Sequence, residues 1–597
     1  MEPSSTVLST TTAGQSTATP VKRTRSARRV WMSRCLALAF SGCLVLLLEV
    51  ALRLLGMGQD LSLVVPIAGA PGWFQLNPLF DQPFYGLVDL SGPEPRPFQL
   101  PKPAGTRRIL VVGGSTVVGF PYPSELAFSR HLEVALQEQC NNVEVVEVLN
   151  AGITAMNSAT EVAVVHEGLR VQPDVIVVYT GHNEFYAPGG VASAAGKLSP
   201  GWFRTLASFR RLYLAQTLRR LFKPRAPSGD LIESLPGNVH IPVDGEIYKK
   251  GLERFRENLT AMALAAQRAR IPILFVSPVS NEHDQPPIED LRVPAGAAKE
   301  AWQEVFRKAE RELAWGDAKK ASDLLEQIYH EHQNDPLIHF RLAQVSERQE
   351  RIDEARSHFA RSLSLDGCRF RASSDFRSVM ASVADQHAPS GAKIVDLHQA
   401  VAQASKLTVP GRTHFLEHVH FTWAGNRLVG DVIARTIWLD VWSREWSTDR
   451  ELDDAAGQQR LAVLPEDHLA AHTLAMTIYQ KLPFRDGADA EKLAKDLIDD
   501  SVSLFRRLPA DERAIFEQRT QQEMAGDLLA ELIKAARAKQ NDVLLGLWLR
   551  SHVTRQPWNC QARKELVTWL SDHGELDEAE RVRQAADKWP CPAAHRH

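Results

Sequence analysis

Four short runs of this chain carry residue types that could together perform nucleophilic acyl chemistry. The first is Gly113-Gly114-Ser115-Thr116. A serine hydroxyl attacks a carbonyl only when a nearby base takes its proton, and histidine is the usual base. The last run, Glu417-His418-Val419-His420, supplies such a base and an acid three residues before it. Between them lie Asn150-Ala151-Gly152 and Gly181-His182-Asn183-Glu184, which offer N–H donors for a developing oxyanion. Singly, each run has a plainer reading. Gly-Gly-Ser-Thr is an ordinary turn, and as a phosphate loop it lacks the lysine. Asn183 suits a helix cap, and His182 suits a pocket wall. His418 and His420 with Glu417 have the i, i+2 spacing of a metal site on a strand, without a clear third ligand.

The elements that must position these runs follow from hydrophobic patterning. Ile109–Val112, Val143–Leu149, Asp174–Tyr179, Ile271–Val276 and Lys393–Leu397 read as buried strands. Amphipathic helical segments at Leu126–Gln137, Glu161–Leu169 and Tyr248–Ala269 alternate with them, and a helix over Asn426–Trp438 follows His420; no clear element is expected between Val401 and Gly411. Strand–helix alternation predicts a parallel sheet covered on both faces. Ser115, Gly152 and Asn183 each follow the carboxyl end of a strand, where open α/β sheets bind ligands.

With the four runs in this order, the chain resembles the SGNH/GDSL hydrolase superfamily over about residues 105–300 and 365–440. The resemblance implies a three-layer, flavodoxin-like α/β core with a five-stranded parallel sheet. It implies Ser115 as nucleophile, His420 as base and Glu417 as the acid. The Ser115 N–H, the Gly152 N–H and the Asn183 amide would form the oxyanion hole. The spacing to Gly425 favours His420 over His418 as the base. Three positions depart from the family pattern: Gly114 and Glu417 stand where Asp is usual, as does Glu184. No cofactor and no metal are implied. The implied substrate is an acyl or acetyl ester, of envelope carbohydrate or of lipid. An O-acyltransferase using the same triad and a non-catalytic scaffold on a retired core are the alternatives.

The rest of the 597 residues surrounds this core. Composition is ordinary for a globular protein, with 44% hydrophobic and 24% charged residues, and the net charge of −3 argues against nucleic acid. Residues 1–34 form a Ser/Thr-rich, then basic tail, expected to be disordered and cytoplasmic. Residues 35–56 form an apolar run long enough to cross a bilayer, in which Glu49 and Arg53 share a face. The basic flank predicts a single-pass anchor with everything after it on the outer side of the cell membrane, periplasmic in a bacterium. Residues 57–104 read as a Pro-rich lead-in, 105–297 and 367–445 as the two parts of the hydrolase core. The insertion 298–366 carries a tetratricopeptide-like period: Ala321 and Ala355 stand 34 residues apart, as do Leu325 and Phe359. Residues 446–597 read as further helices of this kind. Stacked helix pairs of this type suit a protein partner. Of the six cysteines, Cys560 and Cys591 could pair.

Overall fold

The computed structural model describes residues 27–85, 92–141, 143–193, 196, 198–222, 240–288, 297–586 and 588–591. They fall into two compact units, one of residues up to 59 with 212–222, the other of residues 60–211 with those from 223 onward.

The first unit is built on one helix, Ala27–Leu54. Its stretch Trp31–Leu54 has 24 residues, the most apolar 18 in a row averaging a hydropathy of 2.4, and is long enough to cross a membrane. The helix starts before the expected boundary at residue 35, because the basic flank continues the helical turn. The remainder of the expected tail, 1–26, lies outside the described residues. Glu49 pairs with Arg53 at 2.8 Å. The same carboxylate also accepts the N–H groups of Tyr213 and Leu214, at 3.1 and 2.9 Å, and so caps the helix Tyr213–Leu221. Sequence spacing showed the first partner of Glu49 and not the second, which is distant in the chain.

The second unit holds two sheets. β1 (Val64–Pro66), β2 (Trp73–Leu76) and β3 (Pro97–Gln99) form a small antiparallel sheet. This corrects the reading of 57–104 as a lead-in: Leu63, Leu76, Phe80 and Phe98 are buried in the main core. The strands have only three or four residues, too short for an alternation signal to stand out among the prolines.

The larger sheet contains β4 (Thr106–Gly113), β5 (Val145–Asn150), β6 (Val175–Tyr179), β7 (Ile273–Val276) and β8 (Ala392–Val395). All four pairings are parallel, in the order β5-β4-β6-β7-β8. Counted within the sheet this is 2-1-3-4-5, the doubly wound order of flavodoxin-like folds. Side chains alternate between two buried faces. Leu110, Val112, Ile176, Val178 and Phe275 pack under the helices Ser158–Gly168, Glu246–Ala269 and Ser374–His387. Ile109, Val111, Val175, Val177 and Leu274 pack under Phe128–Cys140 and Trp423–Thr436. Burial on both faces is why these strands read as continuous apolar runs. The stretch between Val401 and Gly411, left without an element in the sequence reading, holds the end of the helix Leu397–Gln403 and a turn at Lys406–Thr408.

Helices make up the rest. The insertion forms Ala297–Trp315, Ala318–Tyr329, Pro336–Arg348 and Ile352–Leu365, and Ala321, Leu325, Ala355 and Phe359 are buried between them. From Asp454 to Ala586 the described residues are helical throughout apart from turns, with a core around Trp548. A Cys560–Cys591 disulfide closes the last helices, with Cα atoms 5.3 Å apart.

Candidate active site

Gly113 ends β4, and Ser115 opens a one-turn helix, Ser115–Val118. From β4 the chain crosses to β5 over one face, and from β5 to β6 over the other, so Ser115 sits at the switch point of the sheet. Its N–H is the first of that helix and has no acceptor among the described residues. Gly114 lets the next strand's loop come close: a Cβ there would stand 2.9 Å from Asn183 Nδ2 and 3.3 Å from the Met156 carbonyl oxygen. An aspartate at this position would displace Asn183. That gives the first departure from the family pattern a steric reason.

His420 lies on a narrow loop that leaves and returns as a hairpin. Leu416 N–H donates to the His420 carbonyl at 2.9 Å, and Thr422 N–H to the His414 carbonyl at 3.0 Å. Thr422 then caps the helix Trp423–Thr436. This arrangement brings three residues that are far apart in sequence into one line. Ser115 Oγ is 2.7 Å from His420 Nε2. His420 Nδ1 donates to Glu417 Oε1, so Nε2 is the acceptor for the serine proton. Glu417 is 1% exposed. Its Oε1 also accepts the His420 N–H at 3.0 Å, and its Oε2 accepts the His418 N–H at 2.5 Å. The extra methylene of Glu is absorbed by this loop wrapping the carboxylate.

Burial pulls the His420 imidazole down, to about 3, and leaves it neutral. His418 is driven well below its ordinary value by the same cause and then by the neighbouring His420. Glu417, His418 and His420 offer three ligand atoms within 4.8 Å of one another. Yet both carboxylate oxygens already accept N–H donors, and His420 Nε2 faces the serine, so the cluster presents a hydrogen-bonded loop instead of an open ligand set.

Asn183 Nδ2 donates one proton to the Met156 carbonyl at 3.0 Å and keeps a second, and the side chain lines the same cavity as Ser115. His182 is a wall residue. It is buried, its Nδ1 accepts the Ala372 N–H at 3.2 Å, and its Nε2 faces the Tyr179 hydroxyl at 3.2 Å. Glu184 is turned inward: it accepts the N–H and hydroxyl of Ser158 at 2.9 and 2.5 Å, at the start of the helix Ser158–Gly168, and burial pushes its carboxyl up.

Gly152 does not meet its expected role. Its N–H donates to Asn150 Oδ1 at 2.9 Å, and it lies outside the wall of the Ser115 cavity. The lack of a side chain serves packing: a Cβ would stand 2.6 Å from Val118 N on the nucleophile's helix. Three residues further on, Ala155 lines the cavity. It holds left-handed backbone, φ +56°, and its N–H has no acceptor among the described residues. Sequence reasoning passed over Ala155 because positive φ is rare in alanine and nothing in the residue type signals it.

The cavity around Ser115 has a volume of about 430 Å³. Its core-side wall is largely aromatic, with Phe120, Tyr186 and Phe370; the Phe120 ring meets His420 edge-on at 4.8 Å. The C-terminal helices complete the wall through Leu474, Ile478, Phe484 and Ala525. No residue of the insertion 298–366 lines it among the described residues.

No known family profile matches the chain, and no curated protein does. Among solved structures, the crystal structure of the lipase/acylhydrolase from Enterococcus faecalis is similar to 55% of this chain and 95% of its own, at 14% identity and a TM-score of 0.25. A TM-score of that size leaves the reading of the site to its own geometry.

Proposed function

We propose that the chain is a serine ester hydrolase of the SGNH type. One observation carries the reading: Ser115 Oγ lies 2.7 Å from His420 Nε2, whose other nitrogen is held by the buried Glu417, at the floor of a cavity. Ser115 Oγ attacks the ester carbonyl carbon while His420 Nε2 takes its proton. The carbonyl oxygen becomes an oxyanion, met by the N–H of Ser115, the N–H of Ala155 and the Asn183 amide. The C–O bond then breaks, and His420 returns the proton to the departing alcohol. Water, deprotonated by the same histidine, releases the acid from the acyl-serine. Glu417 orients the imidazole and stabilises it while it is charged.

The apolar helix Ala27–Leu54 and the basic residues before it support a single-pass anchor with the catalytic part on the outer side of the membrane. In that setting the substrate would be an acyl or acetyl ester of envelope carbohydrate or of lipid. The helical hairpins of 298–366, with the small Ala321 and Ala355 at their contacts, support tetratricopeptide-like repeats that would hold a protein partner. Labelling of the full-length protein by a fluorophosphonate tests the catalytic reading. Labelling should vanish in Ser115→Ala and fall sharply in His420→Ala. A folded wild type that resists the probe overturns it.

A further inference from the structure

A second cavity, of about 410 Å³, adjoins the first. The two share Phe120, Thr154, Leu474 and Ala525 as walls, so they lie side by side. The chemistry of the two differs. Aromatic and aliphatic side chains dominate the first, whereas Glu94, Glu125, Asp467 and Asp527 line the second.

Glu94 is the unusual member. It is 6% exposed, and neither carboxylate oxygen has a hydrogen-bond partner among the described residues. Its main chain is fixed: Glu94 N–H donates to the Asn150 carbonyl at 3.1 Å, beside the strand end that leads to Ala155. A buried carboxylate without donors is costly and rare in a folded protein. Desolvation and then the facing Glu125 raise its carboxyl to about 7. The positive groups nearby donate to other residues, although the charges of Arg130 and Arg96 still offset part of the penalty on Glu94. Arg555 holds Asp467 at 3.0 Å. Arg96 and Arg130, outside the cavity lining, both donate to Glu133, each at 2.5 Å. His552 Nε2 faces the Asn559 amide at 3.2 Å. The cavity lining therefore holds more carboxylate than cation, and the Glu94 carboxylate, its charge offset only in part by Arg130 and Arg96, has no hydrogen-bond donor among the described residues.

We infer that this second cavity is the subsite for the alcohol part of the ester, and that it takes an alcohol bearing a primary ammonium group, bound by Glu94 and Glu125. The inference rests on the ester-hydrolase reading above. An ammonium supplies the N–H donors that Glu94 lacks and cancels the repulsion between Glu94 and Glu125; a neutral hydroxyl supplies donors and leaves the repulsion in place. The acyl group then occupies the apolar cavity under Phe484 and Ile478.

The test compares two series of alkoxy fluorophosphonates on the full-length protein in detergent micelles. In one series the alkoxy chain ends in a primary amine, in the other in a methyl group, over a range of chain lengths. The ratio of their labelling rate constants is the readout. At the chain length that spans the two cavities, the amine-ended probe should react about tenfold faster, the scale of a charge-assisted contact. In Glu94→Gln the ratio should fall to near one, and in Glu125→Gln, an independent variant should the first misfold, it should fall part of the way. A ratio near one in the wild type at every chain length overturns the inference while leaving the hydrolase reading intact, since the methyl-ended probe still labels Ser115. A preference that survives both substitutions also overturns it. Failure of both probes to label the folded wild type sinks the hydrolase reading and this subsite with it.

Discussion

Asn150 Oδ1 accepts the Gly152 N–H at 2.9 Å, and this bond withholds that amide from the oxyanion hole proposed above. The same side chain donates to the Val117 carbonyl at 2.6 Å and to Ser129 Oγ at 3.1 Å. Asn150 thus ties the loop leading to Ala155 to the helix that carries Ser115. In Asn150→Ala, the loss of these buried bonds should destabilise the protein by about 1–3 kcal/mol and slow fluorophosphonate labelling. If Gly152 were the oxyanion donor, the substitution would free its N–H and labelling would hold or quicken. Urea unfolding beside labelling rates separates the two.

Asn183 should behave as a group used in the transition state. Its amide has one proton on the Met156 carbonyl and one unassigned beside Ser115. Asn183→Ala should lower kcat on p-nitrophenyl acetate by about 10²–10³-fold, the scale of a lost oxyanion donor, with KM changed far less. A parallel rise in KM with kcat intact would mark it as a binding residue only.

The parts of this site that the sequence makes legible are those where residue type and chemistry coincide. The runs ILVV, VIVVY and ILFV are buried on both faces, so their apolar continuity marks the sheet and, with it, where Ser115 and Asn183 must stand. Ala155 was illegible because its proposed role rests on a backbone amide and a positive φ, which alanine does not advertise. The wall formed by Ile478 and Phe484 was illegible for a different reason. Helical periodicity shows which face of a helix is apolar and does not say what that face covers. Glu94 stood in a stretch whose strands are too short to reveal a fold at all.

Glu417 sits against both the ring and the main chain of the histidine loop. Glu417→Gln keeps the shape and removes the charge, so it should lower kcat by about 10⁴-fold, as for a triad whose acid becomes an amide. Glu417→Asp should retain the charge and lose the reach to His420 Nδ1, giving an intermediate rate. Equal rates in Gln and Asp variants would mean that the carboxylate only shapes the loop.

Buried histidines should make the protein sensitive to acid. Burial holds His131 and His182 at about 3, below the ordinary 6.5. The unfolded chain therefore takes up protons below about pH 6.5 that the folded chain refuses until near pH 3, and stability is lost as pH falls through that window. Glu94 and Glu466, raised to about 7, act in the opposite sense, favouring the folded state less as pH rises from 4.5 to 7. His131 packs on Trp423 at 4.4 Å, and its Nε2 has no hydrogen-bond partner among the described residues. His131→Phe keeps an aromatic contact and removes the titration, so its Tm should fall less than that of the wild type between pH 6.5 and pH 4.5. Identical slopes would exclude His131 from the acid response.

The C-terminal helices should set acyl chain length, because they supply much of the apolar wall of the Ser115 cavity. Phe484 packs against His418 at 4.5 Å and Phe370 at 5.3 Å, and Ile478 lines the same side of the cavity. Shortening them enlarges the cavity without removing a reacting group. In Ile478→Ala and Phe484→Leu, kcat/KM for p-nitrophenyl octanoate relative to the acetate should rise, by about tenfold or more where the added space takes the chain, since one methylene in an apolar pocket is worth about 1–3 kcal/mol. The loss of buried volume should also lower Tm, by more in Ile478→Ala. A ratio of octanoate to acetate unchanged in both folded variants would place the acyl chain elsewhere. A fall in kcat/KM for both esters together would instead mean that this wall positions the histidine loop through His418.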